Sequence, residues 1–237
     1  MSGPKAPGAQ GGTRLRVASY NTRDFLDDRG AAARVVRRID PDILCLQEVP
    51  RHPFSGRRVE RFAAECGLSW PGSHRGGGGT TIFTGRRIEV ADAWHRRLSV
   101  ALPMRTRGYA LARVVPTGAA PLVVASVHLS LGAGERRAHT TQILRGVRAA
   151  AENDSRTVIA GDLNELDTGS AWALIGSRLR LVSPGEPTFP SHRPRTPLDV
   201  VFASADLAVL PRAEIDLDDD DVRAASDHRP VWVDLLV

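Results

Sequence analysis

The sequence predicts an α/β protein in which stacked sheets are covered by helices. Three observations predict it. Short apolar runs rich in Val, Ile and Leu recur along the chain. Separate segments carry helical periodicity. The middle of the chain holds closely spaced strand-like runs of the kind that form antiparallel hairpins. In order, 15–20 reads as a strand and 31–39 as a helix with Val35, Val36 and Ile39 on its apolar side. The run 43–46 is too short for a helix and is bounded by Pro41 and Gln47, so it reads as a strand. A helix over 59–66 follows, then a flexible Gly-rich turn at 76–79. That turn lacks the Lys-Ser/Thr and helix start of a phosphate-cradling loop. Strands are expected over 80–84, 89–94, 109–115 and 122–127. An amphipathic helix is expected over 135–151, a buried strand over 157–160 and a short helix over 170–175. Runs at 198–203, 207–210 and 231–236 complete the set.

The bulk properties bound the molecule. The chain has 237 residues, and 42% hydrophobic content supplies a core without any stretch of membrane-spanning length. Residues 1–13 are read as a disordered tail with no secretory signal, and residues 14–237 as one domain. Cys45 and Cys66 have no metal-ligand spacing and read as reduced core thiols. That reading and the missing signal place the protein in the cytoplasm. The net charge of +5 and the pI of about 10.1 favour a polyanionic or phosphorylated substrate. Aromatic content of 5% leaves little material for base-stacking platforms. The acidic tract 218–221 reads as a solvated loop.

The chemistry lies at the ends of the apolar runs. They terminate in Asn21, in Gln47 and Glu48, in His128, in Asp162 and Asn164, in Asp199, and in Asp227 and His228. Each taken alone reads as an ordinary solvated strand end or a satisfied histidine. Together they read as one site assembled from several loops. Carboxylates suit a hard divalent cation; imidazoles and carboxamides suit a phosphate. Asp162 and Asn164 alternate by two and are expected on one face of an extended segment. Asp227 and His228 are adjacent and are expected to point to opposite sides. Asp199 is a natural partner for His228, because a buried carboxylate raises the imidazole pKa and fixes its tautomer. Arg23 stands two residues after Asn21, within reach of a phosphate. The segment Arg105-Thr106-Arg107 reads as an exposed hairpin or a phosphate clamp.

The strings N-x-R at Asn21, LQE at Glu48, the strand ending in His128, GDLN, LDVVF and SDHRPV follow one another in an order that resembles the endonuclease/exonuclease/phosphatase superfamily. These are metal-dependent phosphoesterases related to pancreatic deoxyribonuclease. The resemblance runs from Arg14 to Leu236; GDLN and SDHRP carry most of its specificity. It implies a four-layer α/β/β/α sandwich of two mixed, mainly antiparallel sheets, with the site at one mouth between them. It implies Mg²⁺, or Mn²⁺, held chiefly by Glu48, with Asn21 and Asp227 as further ligands. Asp162 would orient or deprotonate the attacking water. Asn164 would bind the phosphoryl oxygen, the Asp199–His228 pair would neutralise the phosphate, and His128 would assist at the phosphate or leaving group. Asn21 and Arg23 would also meet the substrate phosphate.

His128 stands where the abasic-site endonuclease branch usually carries Tyr, which favours the other branches. Those include deoxyribonucleases, sphingomyelinase-like and inositol-phosphate enzymes, and deadenylases. The chain lacks long insertions for reading a duplex groove or entering a membrane. The leading expectation is a nuclease acting on nucleic acid or another phosphodiester, with no obligate protein partner. A phosphomonoesterase or lipid phosphodiesterase is the alternative. A non-catalytic phosphate-binding module is disfavoured by the intact set of acids and imidazoles.

Overall fold

The computed structural model describes residues 12–72, 76–100, 106–151 and 156–237. Most of the expected tail, residues 1–11, and Arg105 lie outside them. The first sheet is built from β1 (Arg14–Asn21), β2 (Ile43–Gln47), β3 (Thr81–Thr84), β10 (Ala208–Val209) and β11 (Val231–Leu236), in the order β10-β11-β1-β2-β3. The second holds β4 (Ile88–Leu98), β5 (Arg107–Pro116), β6 (Leu122–His128), β7 (Arg156–Asp162), β8 (Arg180–Leu181) and β9 (Asp199–Ala203), in the order β4-β5-β6-β7-β9-β8. Among the described residues only the β1–β2 and β6–β7 pairs are parallel. The sheets are therefore mixed and mainly antiparallel. Among the described residues five α-helices cover them: α1 (Arg29–Ile39), α2 (Gly56–Glu65), α3 (Ala133–Ala150), α4 (Ser170–Gly176) and α5 (Asp219–Ala225).

Three apolar clusters define the layers. The central one joins alternate residues of both sheets, among them Leu15 and Val17, Ile43 and Cys45, Val158 and Ala160. The intervening residues face outward. Ala18, Tyr20, Leu44 and Leu46 pack under α1, α2 and α5. Val123, Ile159, Val200 and Phe202 pack under α3 and α4. This period-2 division is why the strands read as continuous apolar runs rather than alternating ones: both faces of each sheet are covered. The four-layer α/β/β/α arrangement follows.

Two sequence expectations need correction. The acidic tract is not a loop. Asp218 caps α5 by accepting from the amides of Asp220 and Asp221, and Asp219–Asp221 form its first turn, where negative charge complements the helix dipole. Four consecutive acids concealed a helix start. The run 89–94 is part of a longer strand, β4, whose exposed polar residues extend to Leu98. Cys45 and Cys66 are free and buried, and burial pushes both thiols up. Among the described residues no helix is long and apolar enough to cross a membrane.

Candidate active site

The stripes that fill the gap between the sheets turn polar at one end. Along β1 the inward positions run Leu15, Val17, Ser19, Asn21; along β2 they run Ile43, Cys45, Gln47. On the other sheet they end in Ser126 and His128 on β6 and in Asp162 on β7, while β9 begins with Asp199. Register places His128 beside Asp162, and Asp162 beside Asp199. The site is thus the last layer of the sandwich core, with carboxylates and amides where the layers below carry Val and Ile.

A buried polar bridge lies directly beneath it. Ser19 Oγ donates to Gln47 Oε1 at 3.3 Å, and Gln47 Nε2 donates to Ser126 Oγ at 3.2 Å and to the Cys45 carbonyl. Ser126 Oγ donates across the gap to the Leu46 carbonyl at 2.9 Å. These bonds tie the two sheets together one layer below the site, and no apolar contact would fix their relative height as narrowly.

Three side-chain-bearing turns adopt left-handed backbone. Glu48 has φ 51° and Asn164 φ 48°, and Arg23, Asp24 and Phe25 follow with φ 47°, 55° and 54°. Such conformations cost energy in non-glycine residues and persist where surrounding bonds over-determine them. Here the two turns of the first sheet lock each other. The Thr22 amide and hydroxyl both donate to the Gln47 carbonyl, and the Asp24 amide donates to the Glu48 carbonyl. The result carries the Glu48 side chain off the strand alternation and over Asn21, whose Nδ2 donates to Glu48 Oε1 at 3.3 Å.

Asp162 is the hub. Its Oδ2 accepts from Asn21 Nδ2 at 3.1 Å and lies 3.5 Å from His128 Nε2 and 3.8 Å from His228 Nε2. Its Oδ1 accepts from the Asn164 amide at 2.8 Å. Its strand neighbour Gly161 explains the glycine of GDLN: a Cβ there would stand 2.0 Å from the Val127 carbonyl oxygen, so only glycine lets β6 and β7 close up. Burial, reinforced by the charge of Asp199, pushes the Asp162 carboxyl above the ordinary carboxylate range.

The two histidines are held in opposite states. His228 Nδ1 donates to Asp199 Oδ2 at 2.8 Å. Burial opposes its charge, but Asp199, joined by Asp162 and Asp227, outweighs burial and raises the imidazole to about 10. His128 is held well below the ordinary imidazole range by burial and by the nearby Arg107, His228 and Arg51 charges. An imidazolium and a neutral imidazole therefore face the same carboxylate, a division of labour suited to acid–base chemistry. Arg107 is kept in place by a bond from its Nε to the Leu129 carbonyl at 3.0 Å. It is also held by the Gly-rich turn, where a Cβ on Gly78 would stand 2.2 Å from the Arg107 carbonyl carbon.

The structure thus brings Asn21, Glu48, His128, Asp162, Asp199 and His228 into one contact network. Asp227 stands at its rim, 38% exposed, with Arg23 Nε 3.5 Å from its Oδ2; Arg23 also holds Asp27. Asp227 and His228 do point to different partners. Asn164 departs from the expected geometry. The strand ends at Asp162, and the left-handed Asn164 sends its Nδ2 to the Leu129 carbonyl at 3.0 Å. It does not share an extended face with Asp162; its backbone amide positions that carboxylate instead.

Several residues were invisible to sequence reasoning. Thr188 Oγ1 donates to Asp199 Oδ2 at 2.6 Å and accepts from the Asp199 amide, fixing the carboxylate that holds His228. The Phe189 ring packs on the His228 ring with centroids 4.9 Å apart. Ser226 Oγ donates to the Asn21 carbonyl at 2.7 Å and accepts from the His228 amide, tying the first and last site loops together. Only the position of Ser226 inside the SDHRP string signalled it.

The donor set fits a hard divalent cation in part. Glu48, 26% exposed at the mouth, offers a carboxylate that has no guanidinium ion pair among the described residues. Asp162, Asp199 and His228 place one ligand atom each within 4.8 Å of one another. Asn21 presents its amide nitrogen to the two acids while its oxygen accepts from the Arg23 amide, so it would offer oxygen to an ion only after its amide turns over.

No curated protein matches the sequence. Solved structures share the fold. The mannosyl-6-phosphatase Bt3783 of Bacteroides thetaiotaomicron is 18% identical, with a TM-score of 0.76 over 94% of this chain and 100% of that one. ANGEL2, a 2′,3′-cyclic phosphatase solved with adenosine-2′,3′-vanadate, is 16% identical, with a TM-score of 0.75 over 95% and 96%. The human nocturnin catalytic domain, solved with bound sulfate, is 21% identical, with a TM-score of 0.70 over 94% of each chain. The model of the endonuclease/exonuclease/phosphatase family matches residues 18–228, a span that starts in β1 and closes on His228. This chain belongs to the endonuclease/exonuclease/phosphatase family.

Proposed function

We propose that the protein is a divalent-metal-dependent phosphodiesterase that hydrolyses a P–O bond by direct attack of water. Members of the family are phosphoesterase hydrolases, and they are generally divalent-metal dependent. The single observation that carries the reading is Asp162, a buried carboxylate facing Asn21, His128 and His228 at 3.1, 3.5 and 3.8 Å. A structural carboxylate would be satisfied by one strong partner. This one is ringed by a carboxamide and two imidazoles, groups that also suit a phosphate.

Mg²⁺ or Mn²⁺, held by Glu48 with Asn21 and Asp227, would supply positive charge to the phosphoryl oxygens. The chain's own residues do the rest. Asp162, with its raised proton affinity, orients the water and accepts its proton as the bond forms. His228, charged at neutral pH, stabilises the anionic oxygens, and Asp199 keeps it charged and aimed. Neutral His128 faces Asp162 and Glu48 and can hydrogen-bond the leaving oxygen, which takes its proton from solvent water. The second amide hydrogen of Asn164 remains for a phosphoryl oxygen. No side chain is needed as a covalent nucleophile.

Nucleic acid is the first substrate class, on the net charge of +5, whose positive side is carried almost entirely by arginine. The phosphatase structures that share the fold support a monoester or cyclic ester as a second class. The test is hydrolysis of plasmid DNA, RNA, bis-p-nitrophenyl phosphate, p-nitrophenyl phosphate and sphingomyelin, each with Mg²⁺, Mn²⁺ or EDTA. Chelator-sensitive cleavage of a diester is expected. Activity confined to p-nitrophenyl phosphate, or activity that survives EDTA, contradicts the reading.

A further inference from the structure

Six large apolar side chains are exposed among the described residues: Leu26, Phe54, Leu131, Leu166, Leu181 and Val209. Scattered singly, such residues need no explanation. Their distribution here is not scattered. The first four, 69%, 92%, 63% and 46% exposed, each lie in a connection that leaves a site-bearing strand and enters a helix. Leu26 follows Asn21 and precedes α1. Phe54 follows Glu48 and precedes α2. Leu131 follows His128 and precedes α3. Leu166 follows Asp162 and precedes α4. All four strand-to-helix connections at the mouth carry one. Leu181 and Val209 lie at the other end of the sandwich, paired with Phe202 and Leu235 at the far ends of β9 and β11.

A second observation concerns charge. The first turn of α2, directly after Phe54, contains exposed Arg57 and Arg58 and no acid. The first turn of α3, after Leu131, contains Glu135, with exposed Arg137 following it. The cations at the start of α2 run against the helix dipole, so folding alone gives no reason for them. Arg57 and Arg58 follow Phe54 within four residues of sequence.

We propose that the mouth seats on a bilayer surface containing anionic phospholipid, with Leu26, Phe54, Leu131 and Leu166 entering its interfacial layer. The four residues come from both halves of the sandwich, one from each strand-to-helix connection beside the site, so no single sheet or helix carries the patch. Three of them are aliphatic and offer no stacking face, which disfavours nucleobases as the occupant. A second copy of the chain seated there would seal the site, whereas a bilayer would bring headgroup phosphodiesters to it. Attachment to such a surface grows with the apolar area buried and with attraction of basic side chains to anionic lipid. The identity of the ester presented rests on the phosphodiesterase reading; attachment itself does not.

The experiment is co-sedimentation of the full chain with vesicles, in EDTA so that turnover plays no part. Phosphatidylcholine alone is compared with phosphatidylcholine mixed with phosphatidylserine. Binding to the mixed vesicles is expected, with weaker binding to phosphatidylcholine alone. Phe54→Ser combined with Leu131→Ser should weaken binding at least tenfold, and Leu181→Ser should leave it unchanged. Thermal unfolding of each variant should match the parent, because all three side chains are exposed. The proposal is overturned if mixed vesicles leave the protein in solution, or if the double variant binds them as the parent does. It is equally overturned if the double substitution abolishes a dimer or the binding of single-stranded DNA while vesicles are ignored. Vesicle binding without hydrolysis of any ester would sink the phosphodiesterase reading and leave attachment standing.

Discussion

His228 donates from Nδ1 to Asp199 Oδ2 at 2.8 Å and turns its Nε2 toward Asp162 Oδ2 at 3.8 Å. One imidazole thus links a carboxylate that holds it to a carboxylate it can work against. The raised pKa gives a direct check. In metal-free protein, an NMR titration of the His228 ring should find it protonated up to about pH 10. Asp199→Asn should bring the midpoint down by several pH units, because burial then acts with less opposition. The sign carries over to stability. The pair contributes fully below the ordinary imidazole range, near 6.5, and that contribution is lost as pH rises through about 10. A midpoint near the ordinary value in the parent protein would show that Asp199 does not hold the charge.

Gly161 should tolerate no side chain. Its φ of 157° is compatible with other residues only at some strain, and a Cβ would meet the Val127 carbonyl oxygen at 2.0 Å. Gly161→Ala should destabilise the protein by more than about 3 kcal/mol, because the parallel β6–β7 pair must open to admit the methyl. Urea unfolding measures this; a loss below about 1 kcal/mol would mean that the strands yield easily.

The far end of the sandwich makes an independent prediction. Arg16 and Asp234 form a buried two-pronged pair, Nε to Oδ1 at 2.7 Å and a terminal nitrogen to Oδ2 at 2.8 Å. Burial raises the Asp234 carboxyl, but its bond to Arg16 outweighs burial and holds it below the usual range. Asp234→Asn would strand the guanidinium and should cost about 3 kcal/mol at neutral pH. A depressed carboxyl contributes stability above its unfolded pKa, near 4, and loses it as pH falls through the folded value. The gap between variant and parent should therefore narrow in acid. A gap independent of pH would assign the loss to packing.

The layered fold was legible because apolar stripes of period two and covering helices leave strong local patterns. Asn21, Glu48, His128, Asp162, Asp199 and His228 were legible because each interrupts such a stripe at its end. The supporting residues were not. Thr188 and Phe189 lie in a loop whose composition carries no periodicity, and they meet Asp199 and His228 only through tertiary contact. Asn164 was placed on the wrong geometric basis because the alternation of a strand was extended past its end, into a left-handed turn. Helix α5 was hidden because a run of acids reads as a solvated loop, whereas the same acids at a helix start complement its dipole.

The central claim is that Asp162 and Glu48 serve one metal-assisted hydrolysis at the mouth. The most direct measurement is kcat for the phosphodiester cleaved fastest in the substrate panel, with saturating Mg²⁺, for the parent, Asp162→Asn and Glu48→Gln. Both variants should fold as the parent does and lose turnover by about 10²-fold or more. Retention of the parent rate by either variant would contradict the account.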